Sequence, residues 1–171
     1  MIYCMLAKFF ASFLGIVITR LQLEKSLYLE AFLLGILPIW SEVLASNITK
    51  TEPSLEKDRN KLYLDGVLDA LVFIIIPSVW YYLSLAESTD EKIALIFFIF
   101  CGLTRLFQFV RKGLNHDGYF RGLPVTYTGY MWLVLALLKN YEANKAASIT
   151  LVLVSILMIT SKIKIKVRAV K

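Results

Sequence analysis

The chain has 171 residues, 58% of them hydrophobic and only 19% charged, with a formal net charge of +6 and a mean hydropathy of +0.66. That balance excludes an ordinary soluble domain, in which about a quarter of the residues are charged, and indicates an integral membrane protein. The positive charge does not call for a nucleic-acid partner, because lysines and arginines in the loops of a membrane chain set its topology.

Six apolar segments follow one another: Tyr3–Ile18, Leu27–Leu44, Leu68–Leu85, Ile93–Val110, Leu123–Leu138 and Ala146–Ile159. Several are shorter than the roughly 20 residues of a helical span, so flanking polar residues must complete them. The expected fold is all-α, a polytopic transmembrane helical bundle of about six helices in one domain over residues 1–171. Lys8 interrupts the first segment and no small-residue cleavage site follows, so it reads as a retained helix and not as a signal peptide. The polar stretch Ser46–Leu64 is too short for a separate domain. Cys4 and Cys101 lie within apolar segments and read as packing residues. If six helices alternate, one side of the membrane carries twelve of the 19 lysines and arginines and the other carries five. The positive-inside rule then places both termini in the cytoplasm, with Lys8 and Arg105 left inside apolar segments.

The chemistry gathers at the cytoplasmic end. Asp65 and Asp69 stand four residues apart, on one helical face about one turn from each other. Acids next to hydrocarbon are costly unless a cation, a partner or water compensates. Mg²⁺ or Mn²⁺, held by a few carboxylates together with the phosphates of a substrate, is the expected compensation. The plainer reading is a pair of helix-start residues complementing a dipole. Glu42 is the only acid near the cytoplasmic end of the second helix, either a further metal ligand or a solvated helix-end residue. Arg105, with Arg111 or Arg121, is suited to hold phosphate or carboxylate, and a snorkelling role for Arg105 stands beside that. His116 reads as a solvated loop residue. The basic, apolar tail from Ser161 to Lys171 is expected at anionic lipid heads or as a topology signal.

Three stretches together resemble bacterial and archaeal phosphatidylserine synthases, members of the CDP-alcohol phosphatidyltransferase family. Leu64-Asp65-Gly66-Val67-Leu68-Asp69, with Pro77 eight residues after the second acid, resembles the start of their third helix. Cys101-Gly102-Leu103-Thr104-Arg105-Leu106-Phe107-Gln108-Phe109 resembles their Cys-Gly-x-x-Arg-Leu-Ala-Arg-Phe stretch, and Tyr119-Phe120-Arg121-Gly122-Leu123-Pro124 their Tyr-Phe-x-Gly-Leu-Pro corner. The order and spacing match over Leu64 to Thr128, and the combination is more specific than any one piece. Asp65 and Asp69 fall on the last two acids of the family signature. The first half departs: Pro38-Ile39-Trp40-Ser41-Glu42-Val43-Leu44-Ala45-Ser46 keeps only Ala45, and Ser41 stands where an aspartate is usual.

The resemblance implies transfer of a phosphatidyl group from CDP-diacylglycerol to L-serine, giving phosphatidylserine and CMP, in a homodimer-forming family. It implies Asp65 as a metal ligand, Asp69 as ligand and base and Arg105 as an anion holder; Glu42 as a substitute metal ligand and Arg111 or Arg121 as a further anion holder are expectations from the residues themselves. Glycerol phosphate or inositol are alternative acceptors. A catalytically degenerate relative acting as a membrane partner or scaffold, and an unrelated small transporter, are the readings from other classes. Against a transporter, the polar groups collect at one end of the helices.

Overall fold

A computed structural model describes residues 2–20, 27–48, 59–112 and 119–166. They form six helices and one two-stranded ribbon: α1 (Ile2–Arg20), α2 (27–48), α3 (59–84), α4 (Thr89–Lys112), β1 (Tyr119–Arg121), α5 (Thr128–Asn140), α6 (Asn144–Ile159) and β2 (Lys164–Lys166). Within α2, α3 and α4, the stretches Leu27–Leu44, Leu62–Ser84 and Thr89–Arg111 are long and apolar enough to cross a membrane, and Asn144–Ile159 is a shorter apolar helix.

The sequence-based boundaries need correction in two places. Helix α3 starts at residue 59, so Asp65 and Asp69 lie inside it and not at its mouth, and the expected loop Ser46–Leu64 is helical at both ends. Residues 49–58 of that loop, and His116, lie outside the described residues. The fifth helix starts at Thr128 and not at Leu123, because Pro124 is extended (φ −60°, ψ 141°) and a single 3₁₀ turn, Val125–Tyr127, follows it. The tail also departs from an all-α expectation. β2 pairs antiparallel with β1, Tyr119 opposite Lys166 and Arg121 opposite Lys164.

Two prolines shape the two helices that carry the acids. A π-helical segment, Phe32–Ile36, comes just before Pro38 in α2, and another, Ala70–Ile75, just before Pro77 in α3. Each ends with an N–H reaching five residues back, from Leu37 to the Phe32 carbonyl and from Ile76 to the Leu71 carbonyl. An inserted π turn frees backbone carbonyls that must find other donors. The α-helical partner of the Phe73 carbonyl would be the N–H of residue 77, and proline has none. The Trp132 indole N–H (3.3 Å) donates to it instead, as does the Thr128 hydroxyl (3.1 Å), which shares its one proton with the Val125 carbonyl (2.7 Å), joining α3 to α5 through the core.

The helices close into a ring in the order α1, α2, α5, α6, α4, α3, each packed on the next and α3 back on α1. The tightest crossing is between α2 and α5: a Cβ on Gly35 would sit 2.1 Å from the Gly129 carbonyl oxygen, and one on Gly129 would sit 2.5 Å from that of Gly35. Only glycine at both positions lets the two backbones meet. The core is aromatic. Trp132 is fully buried, with Phe98 edge-on at 5.2 Å and Tyr81 tilted at 6.2 Å between ring centroids.

One end of the ring is sealed by a charged cluster. Ser88 and Glu91 form a reciprocal capping box at the start of α4: the Ser88 N–H donates to Glu91 Oε2 (3.0 Å) and the Glu91 N–H to Ser88 Oγ (3.2 Å). Glu91 Oε1 accepts from Tyr81 of α3 (3.0 Å) and from Lys139 of α5 (3.2 Å), whose ammonium also donates to Asn144 of α6 (2.7 Å). Four helices are thus joined around one fully buried carboxylate. The Trp80 indole N–H donates to buried Glu30 (2.6 Å), joining α3 to the start of α2.

Candidate functional site

The opposite end of the ring holds a cavity of about 290 Å³. Glu42 of α2, Asp65 and Asp69 of α3, Arg105 of α4 and Thr126 and Tyr127 of the 3₁₀ turn line it, with Leu106 and Phe109 among its apolar walls. Four of the sequence-predicted site residues, Glu42, Asp65, Asp69 and Arg105, therefore meet on one cavity although they come from three helices.

Local backbone features place each of them. Asp65 and Asp69 are one helical turn apart, and the second is the more buried, Asp69 being 7% exposed. Asp69 directly precedes the π segment, so the acid-bearing turns are rotated relative to the core turns beyond. Gly66, next to Asp65, lets α3 meet α4: a Cβ there would sit 2.5 Å from Val110 Cγ2. Gly102 does the same one step deeper, against Ile74 Cδ1 at 2.7 Å. Those two approaches hold Arg105 beside the aspartates. In α2, the Ser41 hydroxyl donates to the carbonyl of Pro38 in its own helix (2.7 Å), and it is Glu42, its neighbour, that lines the cavity.

The cavity wall that begins at Pro124 is tied to the tail through the Gly122-Leu123-Pro124 corner. Gly122 has φ +89°, and a Cβ on it would sit 2.4 Å from the Met158 carbonyl oxygen and 3.4 Å from Arg105 Nε. Its N–H donates to the Ile163 carbonyl (2.8 Å), and the Leu123 N–H donates to that of Leu157 (3.0 Å). The β1–β2 ribbon thereby fixes the position of Pro124, Val125 and Thr126.

Arg105 is only 9% exposed and its Nε has no hydrogen-bond partner. A buried guanidinium nitrogen without an acceptor is costly, and an anionic ligand in the cavity would supply one. The other two predicted arginines stand differently. Arg111, on the last turn of α4, is exposed and does not line the cavity. Arg121 ends β1, and its side chain lies outside the described residues.

No three His, Cys, Asp or Glu side chains among the described residues close around a common point. The carboxylates therefore do not form a cage able to satisfy an ion alone. They do fit Mg²⁺ or Mn²⁺, which take one or two carboxylate oxygens and complete their shell with water and substrate phosphate.

Sequence reasoning missed Thr126 and Tyr127, although they follow directly on the Gly-Leu-Pro corner that it singled out. It also missed an adjoining groove of about 270 Å³, where Ile39, Val43 and Tyr130 continue from the shared residues Glu42, Thr126 and Tyr127. Polar cavity and apolar groove together suit an amphiphile. In comparisons with known proteins, no family model, no curated protein and no solved structure matches the chain.

Proposed function

We propose that the chain is an integral membrane phosphatidyltransferase that moves the phosphatidyl group of CDP-diacylglycerol to L-serine, releasing CMP. The observation that carries this reading is the meeting of Glu42, Asp65, Asp69 and Arg105 on one cavity, in a chain whose downstream motifs resemble those of phosphatidylserine synthases. An apolar exterior supports the membrane setting: Phe10, Ile96, Phe100 and Phe107 are each about two-thirds exposed, as on helices that face hydrocarbon. The basic residues at the cavity end favour a cytoplasmic opening in a bacterial inner membrane.

Each side chain has a role that its position permits. Arg105 offers its free Nε–H to a phosphate oxygen of the donor. Asp69, the more desolvated acid, accepts the proton of the serine hydroxyl as that oxygen bonds to the phosphorus next to diacylglycerol and the bond to CMP breaks. Asp65 and Glu42 would hold Mg²⁺ or Mn²⁺, which when bound supplies charge neutralisation for the diphosphate. The groove at Ile39, Val43 and Tyr130 takes hydrocarbon. A non-catalytic family relative serving as a membrane partner is the second reading, favoured by the open carboxylate set and by a serine at position 41.

The test is CMP release by purified, detergent-solubilised protein given CDP-diacylglycerol, L-serine and Mn²⁺ or Mg²⁺. Serine- and metal-dependent release that Asp69→Asn abolishes is the expected result, and loss in Glu42→Gln assigns the substitute ligand. Well-folded protein that releases no CMP with serine, glycerol phosphate or inositol would refute the enzyme reading and leave the scaffold.

A further inference from the structure

A second cleft, of about 250 Å³, lies between α3 and α4 toward the end of the ring opposite the cavity. Ile75, Val79, Leu95 and Ile99 make it apolar, and two polar side chains interrupt them, Lys92 and Ser78. Neither serves the reaction proposed above, and the inference does not depend on it.

Both are short of partners. Lys92, in the first turn of α4, forms no ion pair among the described residues and rests its ammonium over the Tyr82 ring at 5.7 Å. Ser78 is 2% exposed and its Oγ has no hydrogen-bond partner. An unpaired hydroxyl in an apolar cleft wants an acceptor, and a lysine at the rim of that cleft wants an anion. Ser78 precedes Tyr82 by four residues, so the hydroxyl lies about 6 Å deeper along α3 than the ring under the ammonium. Cation at the rim, donor one turn below and aliphatic walls beyond are the order in which a glycerophospholipid presents its phosphate, its ester carbonyl and its acyl chain.

We propose that this cleft binds one anionic glycerophospholipid, its phosphate against Lys92 Nζ, an ester carbonyl accepting from Ser78 Oγ and one acyl chain along Val79, Leu95 and Ile99. The net negative head group is what distinguishes it from a zwitterionic lipid, because Lys92 supplies an uncompensated charge.

Native mass spectrometry of the full chain, with dioleoylphosphatidylglycerol and dioleoylphosphatidylcholine added in parallel, tests this. One phosphatidylglycerol per chain should be retained with a preference of about fivefold over phosphatidylcholine, the worth of one lysine near an anionic lipid. Lys92→Gln should bring that preference to parity while Lys92→Arg keeps it, and Ser78→Ala should weaken retention of both lipids. Ile99→Trp, which fills the cleft, should abolish the retained lipid. Equal retention of the two lipids by the unaltered chain would overturn the proposal. So would an unchanged preference in Lys92→Gln, which would make Lys92 a snorkelling residue only. If Ile99→Trp instead converts a dimer to a monomer without changing lipid retention, a second copy occupies the face and the proposal fails. The Lys92 substitutions sit at the rim and decide the matter even where Ile99→Trp does not fold.

Discussion

Lys139→Met should be among the most destabilising single changes in the chain, although it lies far along the sequence from Glu91, the residue it would strand. Glu91 is fully buried, and Lys139 is its only cationic neighbour in the described structure, with a side chain just 5% exposed. Removing one partner of a buried ion pair costs about 3–5 kcal/mol, because the other charge is left uncompensated. Two backbone N–H groups and two hydroxyls still donate to the carboxylate, which argues for about 3 kcal/mol, the lower end of that range. Glu91→Gln turns an acceptor oxygen into an NH₂ facing Lys139 and Tyr81, but Lys139 keeps Asn144 and, at 3.8 Å, Glu87, so about 2 kcal/mol is expected. In the double variant the amide faces no ammonium and Tyr81 can accept from it. Its cost should be about that of Glu91→Gln alone, a coupling of roughly 3 kcal/mol, at the upper end for residues in one network. Reversible unfolding in mixed micelles of rising sodium dodecyl sulfate, followed by the fluorescence of buried Trp80 and Trp132, measures all four proteins. Additivity within about 0.5 kcal/mol would refute the reasoning: Glu91 would then be held by its capping box, and Lys139 would reach water.

Three further outcomes follow from the same geometry. Gly35→Ala, whose Cβ would overlap the Gly129 carbonyl, should cost more than 2 kcal/mol of unfolding free energy, whereas Gly102→Ala, which meets only the end of the Ile74 side chain, should cost about half of that in the same assay. Thr128→Val should cost about 1–2 kcal/mol by removing a donor shared by the Val125 and Phe73 carbonyls, and the part due to Phe73 should be lost when Pro77→Ala supplies an N–H to it. Under the proposed reaction, Asp69→Asn should lower kcat about 10²–10⁴-fold, and Arg105→Lys should lower kcat/KM about tenfold or more, as loss of a guanidinium hydrogen bond to phosphate does. The CMP-release assay separates these two effects.

How much of this was legible beforehand depends on which signal each feature leaves. The cavity was readable because helical periodicity and alternation of direction are enough to bring residues 42, 65, 69 and 105 to one end: an acid late in one helix, acids early in the next and an arginine late in the following one must share a side. The ends of helices were not readable from hydropathy alone. Arg59, Asn60 and Lys61 look like loop, yet they form the first turn of α3, since charged residues are good helix formers wherever one face still packs. The ribbon was hidden for a different reason. Lys164 to Lys166 has no strand partner nearby in sequence, and its pairing with Tyr119 to Arg121 exists only because α5 and α6 return the chain to the same end. The π segments leave a signal only in hindsight, a proline within a helix flanked by residues able to satisfy the freed carbonyl from another helix.

The charged clusters at the two ends of the ring differ in how they are satisfied, and that difference separates a structural role from a proposed functional one. At the sealed end the Glu91 carboxylate collects five donors from four residues, so a ligand has nothing left to satisfy on that carboxylate. At the cavity end a buried guanidinium nitrogen lacks an acceptor, half-buried and buried carboxylates share its cavity, and a tail strand fixes the wall beside them. A chain selected only to fold would gain by pairing or deleting that guanidinium, because an uncompensated charge near hydrocarbon is destabilising. Under the proposed reaction, that open guanidinium, sharing a cavity with the turn that precedes the α3 π segment, is preorganised for an anionic ligand. Substitutions at Asp65 and Arg105 by uncharged residues of similar size should therefore raise thermal stability or leave it unchanged, while those at Glu91 and Lys139 lower it. A fall in stability at the cavity residues comparable to that at the sealed end would place them in the structural framework and remove the physical basis for a site.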